Sequence, residues 1–287
     1  MAGKMVRLII VWVVVSALLS CQNIDNRNVS IGIIHMAPIR ASSLADITTN
    51  ANTIVRAMTA AKANGAQWVM TPELALTGYK FKYSLGVDWI KPGADQWTQQ
   101  LQRAADTLNM VLFLSHLEQD PVTLDRHNTL FVINRQGAII ARHRKINTLP
   151  GSESWSTPGR QATVASVDGL TVGLLICADA WPAQHAQSLS TQGADMLLSS
   201  ANWAPGLYGP GDSWEQRVTE TGLALVVNNR TGIEDKLDMR EAKSVFVVPT
   251  VNGAARIFEH QSKHDAVIVL HYDRGEETIA RQQVIEL

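Results

Sequence analysis

Glu73, Lys145 and Cys177 are the residues of this 287-residue chain whose types and positions could do chemistry together. Cys177 ends the apolar run Gly173-Leu174-Leu175-Ile176, and a helical segment follows within a few residues. Such a strand-to-helix junction holds a side chain rigidly at the mouth of a sheet and turns backbone N–H groups outward, where they favour negative charge. A thiol beside those donors, the Ala178 N–H first among them, has the parts of a covalent nucleophile facing an oxyanion pocket. A lone cysteine at a strand end is commonly a core residue, so its partners must decide. A thiol attacking a carbonyl needs a carboxylate to take and later return a proton. It also needs a cation for the charge that develops on oxygen. Glu73 and Lys145 are the carboxylate and the cation that follow strand ends.

The elements that must position them alternate between strand and helix. Val29 to Met36 reads as a strand, Ser43 to Asn64 as a helix with Ile47, Ile54, Val55, Met58 and Ala61 on one stripe, and Trp68 to Met70 as the next strand. Pro72 cannot donate to a central ladder, so that strand stops and Glu73 falls at its carboxyl end. A helix over Ala94 to Leu108 and a strand over Val111 to Ser115 follow. Asn128 to Asn134 and Ala138 to His143 form a hairpin through Gln136-Gly137, and Lys145 lies just beyond it. A second hairpin, Ala162 to Val167 with Leu170 to Ile176, turns at Asp168-Gly169 and leads into Cys177. Helices over Pro182 to Gln192 and Trp214 to Thr221 separate strands at Met196 to Ser200 and Ala224 to Asn228. Further strands are expected at Ser244 to Val248, Arg256 to Glu259 and Ala266 to His271. The pattern is that of a layered α/β domain with a mixed sheet, in which ligands bind at the carboxyl ends of strands.

Composition excludes several classes of function. The chain is 46% hydrophobic and 18% charged with a formal net charge of −1, which gives no basic excess for nucleic acid. No low-complexity tract and no internal repeat is visible. His35, His116, His127, His143 and His185 show no short metal-ligand spacing, so neither a metal nor another cofactor is implied. Cysteine–histidine catalysis remains chemically open, but no histidine has a context comparable to that of Glu73.

The amino terminus stands apart. Lys4 and Arg7 precede an apolar run, Leu8 to Leu19, shorter than the ~20 residues of a comfortable membrane span. It ends in Leu18-Leu19-Ser20-Cys21, which resembles a bacterial lipobox whose cysteine is acylated. Residues 1–20 are then a signal peptide, 21–28 a polar tether and 29–287 the folded domain. A plain secretory signal or an uncleaved anchor are the alternatives. Lipidation of Cys21 would leave Cys177 without a disulfide partner in an oxidising compartment. The membrane would be met through the anchor alone. Gln22 and Asn23 lack the aspartate that resembles an inner-membrane retention signal, so the outer membrane of a bacterial envelope is the expected location.

The motifs around the three residues resemble those of the nitrilase superfamily of carbon–nitrogen hydrolases. Gly65 to Tyr79, containing Thr71-Pro72-Glu73-Leu74, is similar to the first family motif, whose Glu transfers protons. Arg142-His143-Arg144-Lys145-Ile146 resembles the second, whose Lys stabilises the tetrahedral intermediate. Leu175-Ile176-Cys177-Ala178-Asp179 resembles the third, whose Cys is the nucleophile. Glu153 matches a second Glu that many members use to position the substrate or the lysine. Arg217 to Thr221 and Asn228 to Gly232 resemble later signatures of the same family. The resemblance implies a four-layer α-β-β-α sandwich, a homodimer and no cofactor.

Departures from the family pattern narrow the chemistry. Ala178-Asp179 after the nucleophile is closer to amidases than to nitrilases. Ala180-Trp181-Pro182 lacks the arginine with which carboxylate-binding relatives follow the cysteine, leaving Arg160, Arg217 and Arg230 as cations that other loops could supply. Trp155, Trp181 and Trp203 are expected to wall the pocket. The expected activity is hydrolysis of a small-molecule, non-peptide amide through a thioester on Cys177. Acyl transfer to an amine and a non-catalytic binding protein on the same fold are the other readings.

Overall fold

The computed structural model describes residues 28–287. The expected signal peptide 1–20, Cys21 and the expected tether up to residue 27 lie outside the described residues. Asn28, expected as the last tether residue, already opens the first strand, β1 (Asn28–His35). The chain continues through α1 (Leu44–Ala63), β2 (Trp68–Met70), α2 (Gln96–Leu108), β3 (Val111–Gln119), β4 (Arg126–Ile133) and β5 (Ile139–Arg144). Then come β6 (Thr163–Val167), β7 (Leu170–Ile176), α3 (Ala183–Thr191), β8 (Met196–Ser200), α4 (Ser213–Thr221) and β9 (Leu225–Asn228). A small hairpin, β10 (Ile233–Glu234) with β11 (Leu237–Asp238), precedes β12 (Ser244–Thr250), β13 (Gly253–His260), β14 (Ala266–Asp273) and β15 (Thr278–Glu286).

Local chemistry places these elements. Ser43 caps α1, its hydroxyl accepting from the Asp46 N–H while the Asp46 carboxylate takes the Ser43 N–H. One stripe of the helix, Ile47, Ala51, Ile54, Met58 and Ala61, is buried. The turn between β6 and β7 has Asp168 and Gly169 both at positive φ, as a two-residue hairpin requires.

Two sheets result. The first runs β15-β14-β1-β2-β3-β4-β5 and the second β13-β12-β9-β8-β7-β6. Their inner faces meet in one core containing Ile31, Ile33, Trp68 and Phe113 from the first sheet and Val172, Leu174, Leu198 and Val226 from the second. α1 and α2 cover the outer face of the first sheet over Ile34, Val69, Leu112 and Leu114. α3 and α4 bring Leu189, Trp214 and Val218 against the second. This is the four-layer α-β-β-α sandwich expected from the sequence.

The two sheets also share a connectivity that the sequence conceals. The parallel strands β1, β2 and β3, linked through α1 and α2, are followed by the antiparallel pair β4 and β5. The parallel strands β7, β8 and β9, linked through α3 and α4, are followed by the antiparallel pair β12 and β13. A glycine marks the close helix approach in each half. A Cβ on Gly32 of β1 would lie 3.0 Å from Ala61 of α1, and one on Gly173 of β7 would lie 3.1 Å from Leu189 of α3.

Candidate active site

The carboxyl ends of β2, β8 and β9 are bolted together across the sandwich. The Asn228 amide donates to the Met70 carbonyl at 2.6 Å and the Ser200 hydroxyl to the Thr71 carbonyl at 2.8 Å. The Glu73 N–H donates to the Ala201 carbonyl at 3.2 Å. Pro72 ends β2 as expected, and Leu74, at φ 51°, turns the chain back so that its N–H meets the Ser115 hydroxyl at 3.1 Å. Glu73 is thereby fixed with its side chain fully buried.

Lys145 follows β5 directly, and its N–H donates to the Asn128 carbonyl at 2.8 Å. Its ammonium donates to Glu73 Oε1 and to Glu153 Oε2, both at 2.7 Å. Asn128 Nδ2 donates to Glu73 Oε1 and to Glu153 Oε1, both at 2.8 Å. The Tyr79 hydroxyl donates to Glu153 Oε2 at 3.2 Å, and the Leu149 N–H does so at 2.9 Å. Glu73, Lys145, Asn128 and Glu153 thus close a ring of hydrogen bonds from which Glu73 Oε2 is left out, buried and without a partner among the described residues.

Cys177 is the free cysteine of the described residues, 3% exposed, at φ 46°. Positive φ on a non-glycine residue is strained and recurs at functional turns. A tight helical turn, Cys177–Ala180, begins there. Asp179 closes it back on the strand, accepting from the Ile176 N–H at 3.1 Å. The same carboxylate accepts from the Ile146 and Asn147 N–H groups at 3.0 and 2.7 Å, so the cysteine turn and the segment after Lys145 share one anchor. Asn147 Nδ2 donates to the Ala178 carbonyl at 2.8 Å. The Asn202 N–H, just past β8, bonds the Cys177 sulfur and favours its thiolate.

Burial dominates the electrostatics. It raises the Glu73 carboxyl above its ordinary range, against the opposing pull of Lys145. It raises the Cys177 thiol well above a free thiol, helped by the Glu73 charge and opposed by Lys145. Burial works against the Lys145 charge, but the carboxylates of Glu73 and Glu153 outweigh it and hold the ammonium firmly protonated. Burial thus shifts both Glu73 and Cys177 towards their neutral forms, beside a permanent cation.

The tryptophans divide. Trp203 is 6% exposed and belongs to the core that includes Cys177. Trp181 lies 5.8 Å from it and is half exposed, and Trp214 continues the row at 5.9 Å. Trp155 packs edge-on against Phe81 at 5.1 Å in the outer core. Arg217 is occupied by the Ala180 and Trp181 carbonyls and by Glu220, and Arg230 by Glu234. Arg160 lines a separate surface cavity with Gln161 and Thr163. Among the described residues no group of three or more His, Cys, Asp or Glu side chains is placed to hold a metal ion. The sequence marks Asp179 only as part of the segment after the nucleophile, and it does not single out Asn128, Tyr79 or Asn202. They act through amide, hydroxyl or backbone groups whose partners lie far along the chain, and no local spacing marks them.

Known proteins share this architecture. A solved cysteine-to-alanine mutant of the Nesterenkonia AN1 amidase, from the nitrilase superfamily, superposes with a TM-score of 0.74 over 87% of this chain and 92% of that one, at 22% identity. The glutamine-dependent NAD(+) synthetase of Acinetobacter baylyi is 26% identical over 68% of this chain, which spans only 36% of that protein. The nitrilase of Pyrococcus abyssi is 30% identical over 50% of this chain and 54% of its own length. The carbon–nitrogen hydrolase profile matches residues 31–261. That span takes in all three motifs, the ring around Lys145 and both halves of the sandwich, and by it the chain belongs to the carbon–nitrogen hydrolase family.

Proposed function

We propose that the protein is a thiol amidohydrolase acting on a small neutral carboxamide. The observation that carries this reading is the buried Glu73 carboxylate, tied through Oε1 and left with Oε2 unpartnered among the described residues. In this scheme Glu73 Oε2 takes the thiol proton as Cys177 sulfur bonds to the amide carbon. The carbonyl electron pair moves to oxygen, where Lys145 and the Ala178 N–H hold it. The C–N bond then breaks, Glu73 returns the proton to the leaving amine, and a thioester remains. Water, deprotonated by Glu73, releases the acid and restores the thiol.

Charge supports the neutral substrate. Two carboxylates and one ammonium leave the buried cluster net negative, and Arg217 and Arg230 are already engaged. The Nesterenkonia amidase has been seen with butyramide, and with the acetamide moiety of fluoroacetamide on its cysteine. By analogy, small aliphatic amides are the first substrates to try. A second reading, a glutamine-type carboxamide, is favoured by the matches to glutamine-dependent NAD(+) synthetases. Acyl transfer is separated from hydrolysis by the product, a new amide against a free acid. Intact-protein mass spectrometry with an amide panel tests the scheme: an acyl adduct on Cys177 is expected, and none with any amide would defeat it. The proposed envelope anchor is tested by fatty-acid labelling, which Cys21→Ser should abolish.

A further inference from the structure

We propose that Asn128 is a positioning residue that keeps Glu73 ionised and turned so that one carboxylate oxygen stays open for proton transfer. The proposal rests on the amidohydrolase reading above and extends it to a residue with no acid, base or nucleophile of its own.

Asn128 touches every member of the acidic cluster. Its Nδ2 donates to Glu73 Oε1 and Glu153 Oε1, both at 2.8 Å. Its carbonyl holds the Lys145 N–H at 2.8 Å, and its own N–H meets the hydroxyl of Ser156, three residues beyond Glu153, at 3.1 Å. Both side-chain N–H bonds are thus spent on carboxylates, while Asn128 Oδ1 is buried and unpartnered among the described residues. Turning the amide over would point that oxygen at two carboxylates, so the orientation is fixed by charge. With Oε1 of Glu73 taken by Lys145 and Asn128 together, rotation of the carboxylate is blocked and Oε2 remains the reactive oxygen. A lysine alone would not achieve this, because an ammonium on a flexible stem presents no fixed plane, whereas the amide is planar.

The groups that face Glu73 are Lys145 from the end of β5, Glu153 from the following loop, Tyr79 from the loop after β2, and Cys177 from the end of β7. Glu153 pushes the Glu73 proton affinity up, and Lys145 and Asn128 pull it down. Asn128 is itself neutral, and it supplies a donor to each of the two carboxylates without adding a charge to the cluster.

The probe is 2-iodoacetamide, whose capture is read on the Cys177 peptide by mass spectrometry across pH. Asn128→Leu and the isosteric Asn128→Asp should both move the acid limb of the alkylation rate up by about one pH unit, a tenfold rise in the proton affinity of Glu73. Thermal melting reports whether each variant is folded, and Asn128→Asp carries the test if Asn128→Leu is not. A purely structural role would lower the melting temperature without moving the limb. A folded variant whose acid limb coincides with that of the wild type overturns the proposal, as does loss of reactivity at every pH. Wild-type protein inert to both the probe and the amide panel would instead fail the amidohydrolase reading itself.

Discussion

Asp179 accepts a hydrogen bond from His143 Nε2 at 2.9 Å, and both side chains are wholly buried. His143 lies two residues before Lys145 and Asp179 two residues after Cys177. The bond therefore joins the strand that delivers the cation to the turn that delivers the thiol. Burial works to raise the Asp179 carboxyl, but the hydrogen bonds from His143 and the Asn147 N–H, with the charge of Lys145, hold it below its ordinary range.

Removing one partner of such a buried pair strands the other. Asp179→Ala should lower stability by about 3–5 kcal/mol, read by urea denaturation, and should slow Cys177 alkylation as well. A loss under 1 kcal/mol would show that the pair behaves like an exposed one.

The three motif residues should fail in different ways. Cys177→Ala should give no covalent adduct. Lys145→Ala should lose about 2.7–4 kcal/mol of barrier reduction if its ammonium serves as an oxyanion donor. Glu73→Gln should slow both capture and release of the acyl group, since one carboxylate serves both steps. Single-turnover and steady-state rates with one amide separate these outcomes, and full activity in any folded variant would remove that residue from the scheme.

The pH dependence has a definite sign. Burial raises Glu73, and only its ionised form accepts the thiol proton. Activity should therefore rise with pH through a midpoint above the ordinary Glu value of about 4.3. A midpoint at or below that value in the kcat/KM profile would mean that some other group is the base.

His35 sets an acid limit on stability. Burial, reinforced by the neighbouring His260 ring at 5.0 Å, lowers its imidazole to about 4. The unfolded chain, near 6.5, takes up a proton that the folded chain refuses, so stability is fully present above about pH 6.5 and is lost as pH falls towards 4. Between pH 6.5 and 5 the loss from this residue should be about 2 kcal/mol. Denaturation curves at the two pH values should differ less in His35→Gln than in the wild type by that amount.

Substrate charge gives a fifth test. A neutral amide should exceed its ω-carboxylate analogue in kcat/KM, because Lys145 already serves two carboxylates and Arg217 and Arg230 are engaged elsewhere. A tenfold preference for the acid, about 1.4 kcal/mol in the opposite direction, would point to a cation brought in by loop motion.

The parts legible in the sequence were those written in local pattern. Pro72 ends β2 where its missing N–H requires, Asp168-Gly169 makes the expected turn, and the strand into Cys177 stops at the residue read from the apolar run. What escaped was non-local. β15 alternates half-buried Ile279 and Ile285 with Arg281, Gln282 and Gln283 on a sheet edge, so it carries no apolar run to detect. β3 runs on to Gln119 because His116 and Glu118 are buried by partners, not by hydrophobicity. Asn128 lay inside an expected strand, and its meaning comes from Glu73, 55 residues earlier in the chain.

The duplicated connectivity has a consequence for biosynthesis. Glu73, Asn128, Lys145 and Glu153 all belong to the half that leaves the ribosome first, whereas Cys177 belongs to the second. The seat of Glu73, however, is braced from the second half, where Ser200, Ala201 and Asn228 hold Thr71, Glu73 and Met70. A nascent chain halted between the halves would therefore lack both the thiol and the supports that fix the carboxylate facing it.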